Sequence, residues 1–348
     1  MRRYSTYRYP LLLFTVLLSL SLSACSSSLY KPIVNVHNTA TASTESQTQE
    51  PQELSSTTII PIDPVTSEET ASPSPEKEIP NSWEMLKVRD VTISIGDSEQ
   101  AVRKKLGQPS RIDETEYTFK YYIYNNDYNR LLFIAIDQDK VVGFYTDSID
   151  FNYNNISSGS SIQEVENALD SNFSLQAVLS KSTEQYSIKV LMDILQTNKV
   201  TAIFVLDTQV EKDEYTEAVM KGVELMIYDL TNSARVRNQV AILSWSSSAA
   251  IASRKHSIDM ATNGYFNHTN LQLKNPGERI KEQGIYYKTC GENIIAGYGT
   301  AILSNHGWYN SVSHRKNMLN PKFRYLGVGF TYQEDSDYKT YITQNFFG

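Results

Sequence analysis

Residues 249–269 read AAIASRKHSIDMATNGYFNHT, and the rest of the chain is read outward from this stretch. Ser248 can cap a helix over 249–263. Gly264 ends it, because glycine takes the left-handed conformation that a helix C-terminus needs. Tyr265-Phe266-Asn267-His268-Thr269 then enters extended chain. Four of the five histidines, His256, His268, His306 and His314, fall in the last third, and His37 lies alone far upstream. That clustering marks where chemistry is to be sought.

Upstream, 217–232 carries Val219, Val223, Met226, Ile227 and Leu230, a helical stripe. Downstream, Pro276-Gly277 reads as a turn and 278–283 as a short helix stopped by Gly284. Cys290-Gly291-Glu292-Asn293-Ile294-Ile295-Ala296 reads as a loop into a short apolar segment. A helix over 300–311 carries Trp308, and His314-Arg315-Lys316-Asn317-Met318-Leu319 follows, ended by Asn320-Pro321. Two strands close the chain at 325–331 and 338–346. In the second, Tyr338, Thr340, Ile342, Gln344 and Phe346 share one face.

Taken in order, HSIDMA (256–261), YFNHT (265–269), GENI (291–294), WYNS (308–311), HRKNMLNP (314–321), GVG (327–329) and TQNFFG (343–348) resemble a CAP domain in its bacterial form. This is the SCP-like, allergen V5 or cysteine-rich secretory protein type, and it spans about 218–348. The resemblance implies an α-β-α sandwich with a central antiparallel sheet. It also implies a cavity lined by two histidines and two glutamates, which in many members holds a divalent cation. His268 and His314 match the histidines and Glu292 the first glutamate. The second is expected just after the tryptophan, where this chain has Asn310-Ser311. The resemblance therefore makes His268, Glu292 and His314 the cavity residues and Glu292 the candidate catalytic residue. His268 and His314 become the candidate ligands of a divalent metal such as zinc.

Neutral imidazole suits zinc, and two histidine ligands leave positions open for water or substrate. Glu292 can ligate directly, orient a metal-bound water, or serve as a structural acceptor for the loop. The alternative for the two histidines is a hydrogen-bonded pair without metal. No His-Glu-x-x-His spacing exists, so the zinc-protease signature is missing. His256 reads as a packed core residue, His306 as a surface one and Trp308 as core. Arg315 either pairs with an acid or anion or is solvated. Cys290 reads as a small buried residue.

The middle of the chain, 85–208, contains neither His nor Cys. Gly96-Asp97 and Gly159-Ser160 each offer a cap, with Gln100 and Gln163 three residues later at the reciprocal position. Val102/Leu106 and Val165/Leu169 are i,i+4 apolar pairs. Strand-like runs follow at 119–124, 131–136 and 141–145, then at 186–192 and 200–205. Two related repeats of a helix and an antiparallel meander, about 90–148 and 154–208, are expected. This segment resembles the N-terminal domain that accompanies certain bacterial CAP domains, and is similar in pattern to repeats of the β-lactamase-inhibitor-protein type. The fold class is thus α+β: a duplicated helix-plus-meander domain followed by the CAP sandwich.

Arg2, Arg3 and Arg8 precede the apolar run 11–18, the pattern of a secretory signal over 1–24 that is too short to span a bilayer. Leu22-Ser23-Ala24-Cys25 looks like a bacterial lipobox, which makes Cys25 the lipidated residue and the membrane a partner. Residues 25–82 are rich in Ser, Thr, Pro and Glu and lack any period of 2 or 3.6, so a disordered tether reaching about 40 Å is expected. The 348 residues carry a net charge of −7, which argues against nucleic-acid binding, and two cysteines exclude a disulfide framework. A lipid-anchored protein on the outer side of a bacterial membrane is expected. Three readings stay open: a binding module for a lipid, peptide or cell-wall ligand, a metal-dependent hydrolase, or a scaffold for protein partners.

Overall fold

A computed structural model describes residues 85–348. The signal segment, Cys25 and the tether lie outside these residues.

The first half runs β1 (Met85–Val88), β2 (Val91–Ser94), α1 (Glu99–Leu106), β3 (Arg111–Glu114), β4 (Lys120–Tyr124), β5 (Leu132–Asp137) and β6 (Lys140–Thr146). It continues with β7 (Asn152–Tyr153), β8 (Ile156–Ser157), α2 (Ile162–Leu169), β9 (Val178–Ser182), β10 (Tyr186–Asp193) and β11 (Lys199–Asp207). Seven strands form one antiparallel sheet in the order β3-β4-β5-β6-β11-β10-β9. The two helix-plus-meander segments meet where β6 pairs with β11, Tyr145 opposite Phe204. Each helix cap falls one residue later than the sequence suggested. Ser98 rather than Asp97 caps α1, and Ser161 rather than Ser160 caps α2 in a capping box with Glu164. Ser160 instead accepts from Ser157 N, so the hydroxyl taken for a cap closes the preceding turn. The hairpin β1–β2 and strand β9 were not foreseen.

The second half runs α3 (Glu217–Arg237), β12 (Ser244–Trp245), α4 (Ser247–Asn263), α5 (Pro276–Lys281), β13 (Cys290–Ala296), α6 (Ala301–Tyr309), α7 (Val312–Met318), β14 (Tyr325–Tyr332) and β15 (Thr340–Phe347). Its sheet has the order β12-β14-β15-β13, parallel only between β12 and β14. Ser246, not Ser248, caps α4. Pro276-Gly277 is the first turn of α5 rather than a separate turn: Asn275 and Glu278 form a capping box around it, and proline is well tolerated there. The 290–296 stretch, read as a loop, is strand β13. Its polar residues do not prevent pairing, because β15 supplies every ladder partner from Cys290↔Phe347 to Ala296↔Tyr341.

The GVG motif explains how the layers stack. A Cβ at Gly327 would lie 2.1 Å from Ala250 N, and one at Gly329 would lie 1.9 Å from Arg254 N. The two glycines therefore let α4 lie directly on β14. Ser253 and Ser257 fasten it there, donating to the carbonyls of Gly327 and Gly329 at 2.9 Å each. Val328 points the other way and packs in the same core as Val223 and Met226 of α3. Helices thus cover both faces of the sheet.

Helix α3 is also the wall shared by the two halves. Val223, Met226, Ile227 and Leu230 belong to one core with Phe119, Tyr121, Phe133 and Phe204 of the seven-stranded sheet. Each such side chain, once buried, contributes about 1.5–3 kcal/mol. The helix is buried nearly all round, so its polar residues need partners. Glu224 binds Arg254 through both oxygens, at 2.7 and 2.8 Å. Asp229 accepts from Arg111, Asn125 and Tyr128. Ser233 donates to Asp147. The far face of the seven-stranded sheet buries Val102, Val165 and Leu169 with the β1–β2 hairpin.

Candidate functional site

The end of α4 and the chain after it position the first histidines. Gly264 caps α4 at φ 64°, and the chain turns so that the carbonyl of Asn267 meets His256 Nε2 at 2.9 Å. His256 is thus a hydrogen-bonded core residue, and burial pushes it down to about 4. His268 follows, and its Nδ1 stands 2.8 Å from Glu292 Oε1.

Glu292 is fully buried in the middle of β13. Its second oxygen accepts from Arg279 Nη2 at 2.5 Å. Arg279, from α5, also donates to the carbonyls of His268 and Lys274, at 2.6 and 2.8 Å. Burial works to raise the Glu292 carboxyl, but Arg279, His256 and His268 outweigh it and hold it down to about 2. Glu292 is therefore a carboxylate at neutral pH with both oxygens engaged.

His314 sits on α7. Its Nδ1 lies 2.8 Å from Ser311 Oγ, and burial together with the neighbouring His268 pushes it down to about 3. Asn293 Nδ2 donates to the His314 carbonyl at 3.2 Å, and Asn317 Nδ2 donates to the Glu292 carbonyl at 3.0 Å. These amides tie α7 to β13. The fold thus sets His268 directly on Glu292 and His314 near enough to His268 to feel its charge.

Each oxygen of Glu292 already has a partner, the Arg279 cation stands against it, and Asn310-Ser311 stand where the resemblance leads one to expect the second glutamate. Among the described residues, no group of three or more His, Cys, Asp or Glu is arranged to hold a metal ion.

Asn310 has a different task. Its Oδ1 accepts from Ile194 N at 2.9 Å and its Nδ2 donates to Met192 O at 3.0 Å. An amide, with its acceptor and donor on separate atoms, can serve both of these backbone groups at once. Arg315, next to His314, binds both oxygens of Asp193, at 2.7 and 3.1 Å. His306, expected at the surface, is buried and meets Ala177 O at 2.8 Å. It is covered because α6 is clasped between the four-stranded sheet and the first half of the chain. Burial pushes it down to about 4. Trp308 is core, with Nε1 donating to Ile294 O at 3.1 Å, and Cys290 is buried.

Residues 228–346 match the model of the cysteine-rich secretory protein family (CAP), and residues 95–215 match the CAP-associated N-terminal model. A relative from Bacillus subtilis (strain 168), the uncharacterized membrane protein YlbC, is 28% identical over 72% of this chain and 82% of its own. The uncharacterized protein YkwD of the same organism is 37% identical over 31% of this chain and 42% of its own. Among solved structures, an extracellular protein containing an SCP domain from Bacillus anthracis aligns with a TM-score of 0.60. It is 23% identical and covers 81% of this chain and 99% of its own. A cysteine-rich secretory protein from Staphylococcus aureus aligns at 0.58, with 18% identity over 73% and 93%.

Proposed function

Because this chain carries a CAP domain preceded by a CAP-associated N-terminal domain, we propose that it works outside the cytoplasmic membrane as a tethered binding module for a ligand of the cell envelope. The observation that carries this reading is the state of Glu292. A general base must reach a substrate proton, and Glu292 is fully buried, with one oxygen on His268 and the other on Arg279. With Asn310 holding the neighbouring half of the chain, the histidine neighbourhood keeps recognition groups and lacks a second carboxylate. His268 Nε2 and His314 Nε2 form no hydrogen bond with the described residues, so they are the groups left for a ligand.

The surroundings agree. The secretory pattern of residues 1–24, the lipobox cysteine Cys25 and the tether favour an outward-facing anchored protein, and the name of YlbC places that relative in a membrane. Among the described residues, no helix is long and apolar enough to cross a membrane.

The test has two arms. Fractionation of cells carrying the full chain should find it in the membrane, and Cys25→Ser should release it; unchanged retention overturns the anchor. The purified full chain should bind isolated cell-wall sacculi, and His314→Gln should weaken that binding while circular dichroism shows the fold retained. Absence of binding, or hydrolysis of wall peptides or glycan that is lost in Glu292→Gln, overturns the binding reading.

A further inference from the structure

Ser311 opens α7 and does not cap it. It stands at the N-cap with extended backbone, yet its side chain accepts from no backbone N–H of the helix, although serine is among the residues that do so best. Thr216, Ser246 and Thr300, at the starts of α3, α4 and α6, each accept from the N–H three residues on. The Ser311 hydroxyl is instead committed to His314, with Oγ 2.8 Å from Nδ1.

That contact decides where the His314 proton sits. Burial pushes His314 down to about 3, so the ring is uncharged at neutral pH and carries one proton on one of its two nitrogens. Ser311 is 3% exposed, and its hydroxyl has no other acceptor among the described residues. A buried hydroxyl without an acceptor is costly, so the hydroxyl donates to Nδ1 and the ring proton is on Nε2.

His268 is set the opposite way. Its Nδ1 stands 2.8 Å from Glu292 Oε1, and a carboxylate only accepts, so the proton is on Nδ1 and the uncharged ring keeps a lone pair on Nε2. Neither Nε2 bonds a described residue. Neither is among the polar atoms that are both unpartnered and closed to solvent, as His256 Nδ1 is. Both are therefore open at the surface of otherwise buried rings, which are 8% and 2% exposed. The two residues lie near enough to interact electrostatically, and the Arg279 cation offsets the Glu292 anion behind the first ring. An anion would meet the lone pair of His268, and a cation the N–H of His314. An uncharged group that gives one hydrogen bond and takes one satisfies both, and the amide of a wall peptide and the hydroxyl of a wall glycan share that chemistry.

We propose that Ser311 is a positioning residue that makes the two histidines chemically unlike, His268 Nε2 an acceptor and His314 Nε2 a donor, so that the pair takes an uncharged hydrogen-bonding group. The inference rests on the binding reading for the existence of a ligand, while the proton positions are read without one. The full chain, isotopically labelled at the ring nitrogens of its five histidines, is followed by long-range proton–nitrogen NMR at neutral pH, with His268→Gln and His314→Gln supplying the assignments. His268 should carry its proton on Nδ1 and His314 on Nε2. Ser311→Ala should move the His314 Nδ1 signal toward that of a nitrogen without a hydrogen bond, and Ser311→Thr, which keeps the hydroxyl, should hold it in place. A His314 proton on Nδ1, or an Nδ1 signal indifferent to Ser311→Ala in a chain of native circular dichroism, overturns the assignment; the unsubstituted chain decides the point even where Ser311→Ala does not fold. N-acetylalanine methylamide and methyl glucoside are then titrated in. Saturable movement of both Nε2 signals is expected, the amide alone marking a peptide source and the glucoside alone a glycan one, and sodium acetate should move neither. Movement by acetate, or by no neutral probe, overturns the ligand class. Sacculus binding that needs His314, with the His314 proton on Nδ1, sinks this inference and leaves the binding reading standing. The expected proton positions and neutral-probe binding without sacculus binding do the reverse.

Discussion

Arg315 holds Asp193 through both carboxylate oxygens, at 2.7 and 3.1 Å, across 122 residues of chain. The pair is nearly closed to solvent on both sides, and Arg315 also donates to Tyr309 Oη at 2.6 Å and lies over its ring. It sits one residue from His314, so the first half of the protein is fastened beside the histidine neighbourhood.

Asp193→Ala leaves the Arg315 guanidinium buried without its anion. Breaking a buried ion pair from one side costs about 3–5 kcal/mol, and Tyr309 and Gln196 keep the loss toward the lower end. Urea unfolding of the full chain should show the midpoint shift. Limited proteolysis should open the 193–198 turn, whose backbone Asp193 caps at Leu195 and Gln196.

Asn310→Glu puts a carboxylate into the Asn310-Ser311 stretch, where the resemblance leads one to expect the second glutamate. It can still accept from Ile194 N but cannot donate to Met192 O. The cost is about 1–3 kcal/mol for the unsatisfied carbonyl, and burial of a charge adds to it. A lower melting temperature with no gain of zinc in elemental analysis is the expected outcome.

Glu292→Gln keeps shape and removes charge. Arg279 is then a buried cation without its counter-ion, so destabilisation of about 3–5 kcal/mol is expected at neutral pH, read from chemical denaturation. Glu292→Gln/Arg279→Met should recover part of that loss, because it removes the stranded charge as well.

Acid should weaken the fold in two windows. His256 and His306 are held at about 4 and His314 at about 3, all by burial, whereas an unfolded histidine titrates near 6.5. Below about 6.5 the unfolded chain takes up protons that the folded chain refuses. Stability therefore falls as pH drops from there toward 4, by up to about 4 kcal/mol per pH unit for three such groups, less what Glu116, pushed up to about 7 by burial, returns as it takes up a proton in the folded chain. Glu292, held at about 2, contributes fully above the unfolded carboxyl value and loses its contribution as pH falls from about 4.5 to 2. Unfolding midpoints measured from pH 8 to 3 should trace both windows, and His306→Gln should reduce the upper slope by about one proton.

Much of this was legible in local pattern. The histidine and glutamate motifs, the stripe of α3, the closing strands and the C-cap at Gly264 all depend on neighbours in sequence. What escaped depends on distant partners. Strand β13 carries Gly291, Glu292 and Asn293, a loop-like composition, and becomes a strand because β15 is there to pair with it. His306 looks like a surface residue until Ala177 arrives from 129 positions upstream. The role of Asn310 is invisible without Met192 and Ile194. Pairs separated by more than a hundred residues leave no periodicity to read.

The placement of α3 bears on how such chains change over evolutionary time. One helix serves two sheets, and Asp229 and Ser233 look toward the first half while Glu224 looks toward the second. A descendant that lost residues 85–208 would keep an acid and a hydroxyl with nothing to hold and an apolar stripe open to water. Trading one half for an unrelated neighbour would demand several simultaneous substitutions along a single helix. A change along α3 is therefore felt by both halves at once.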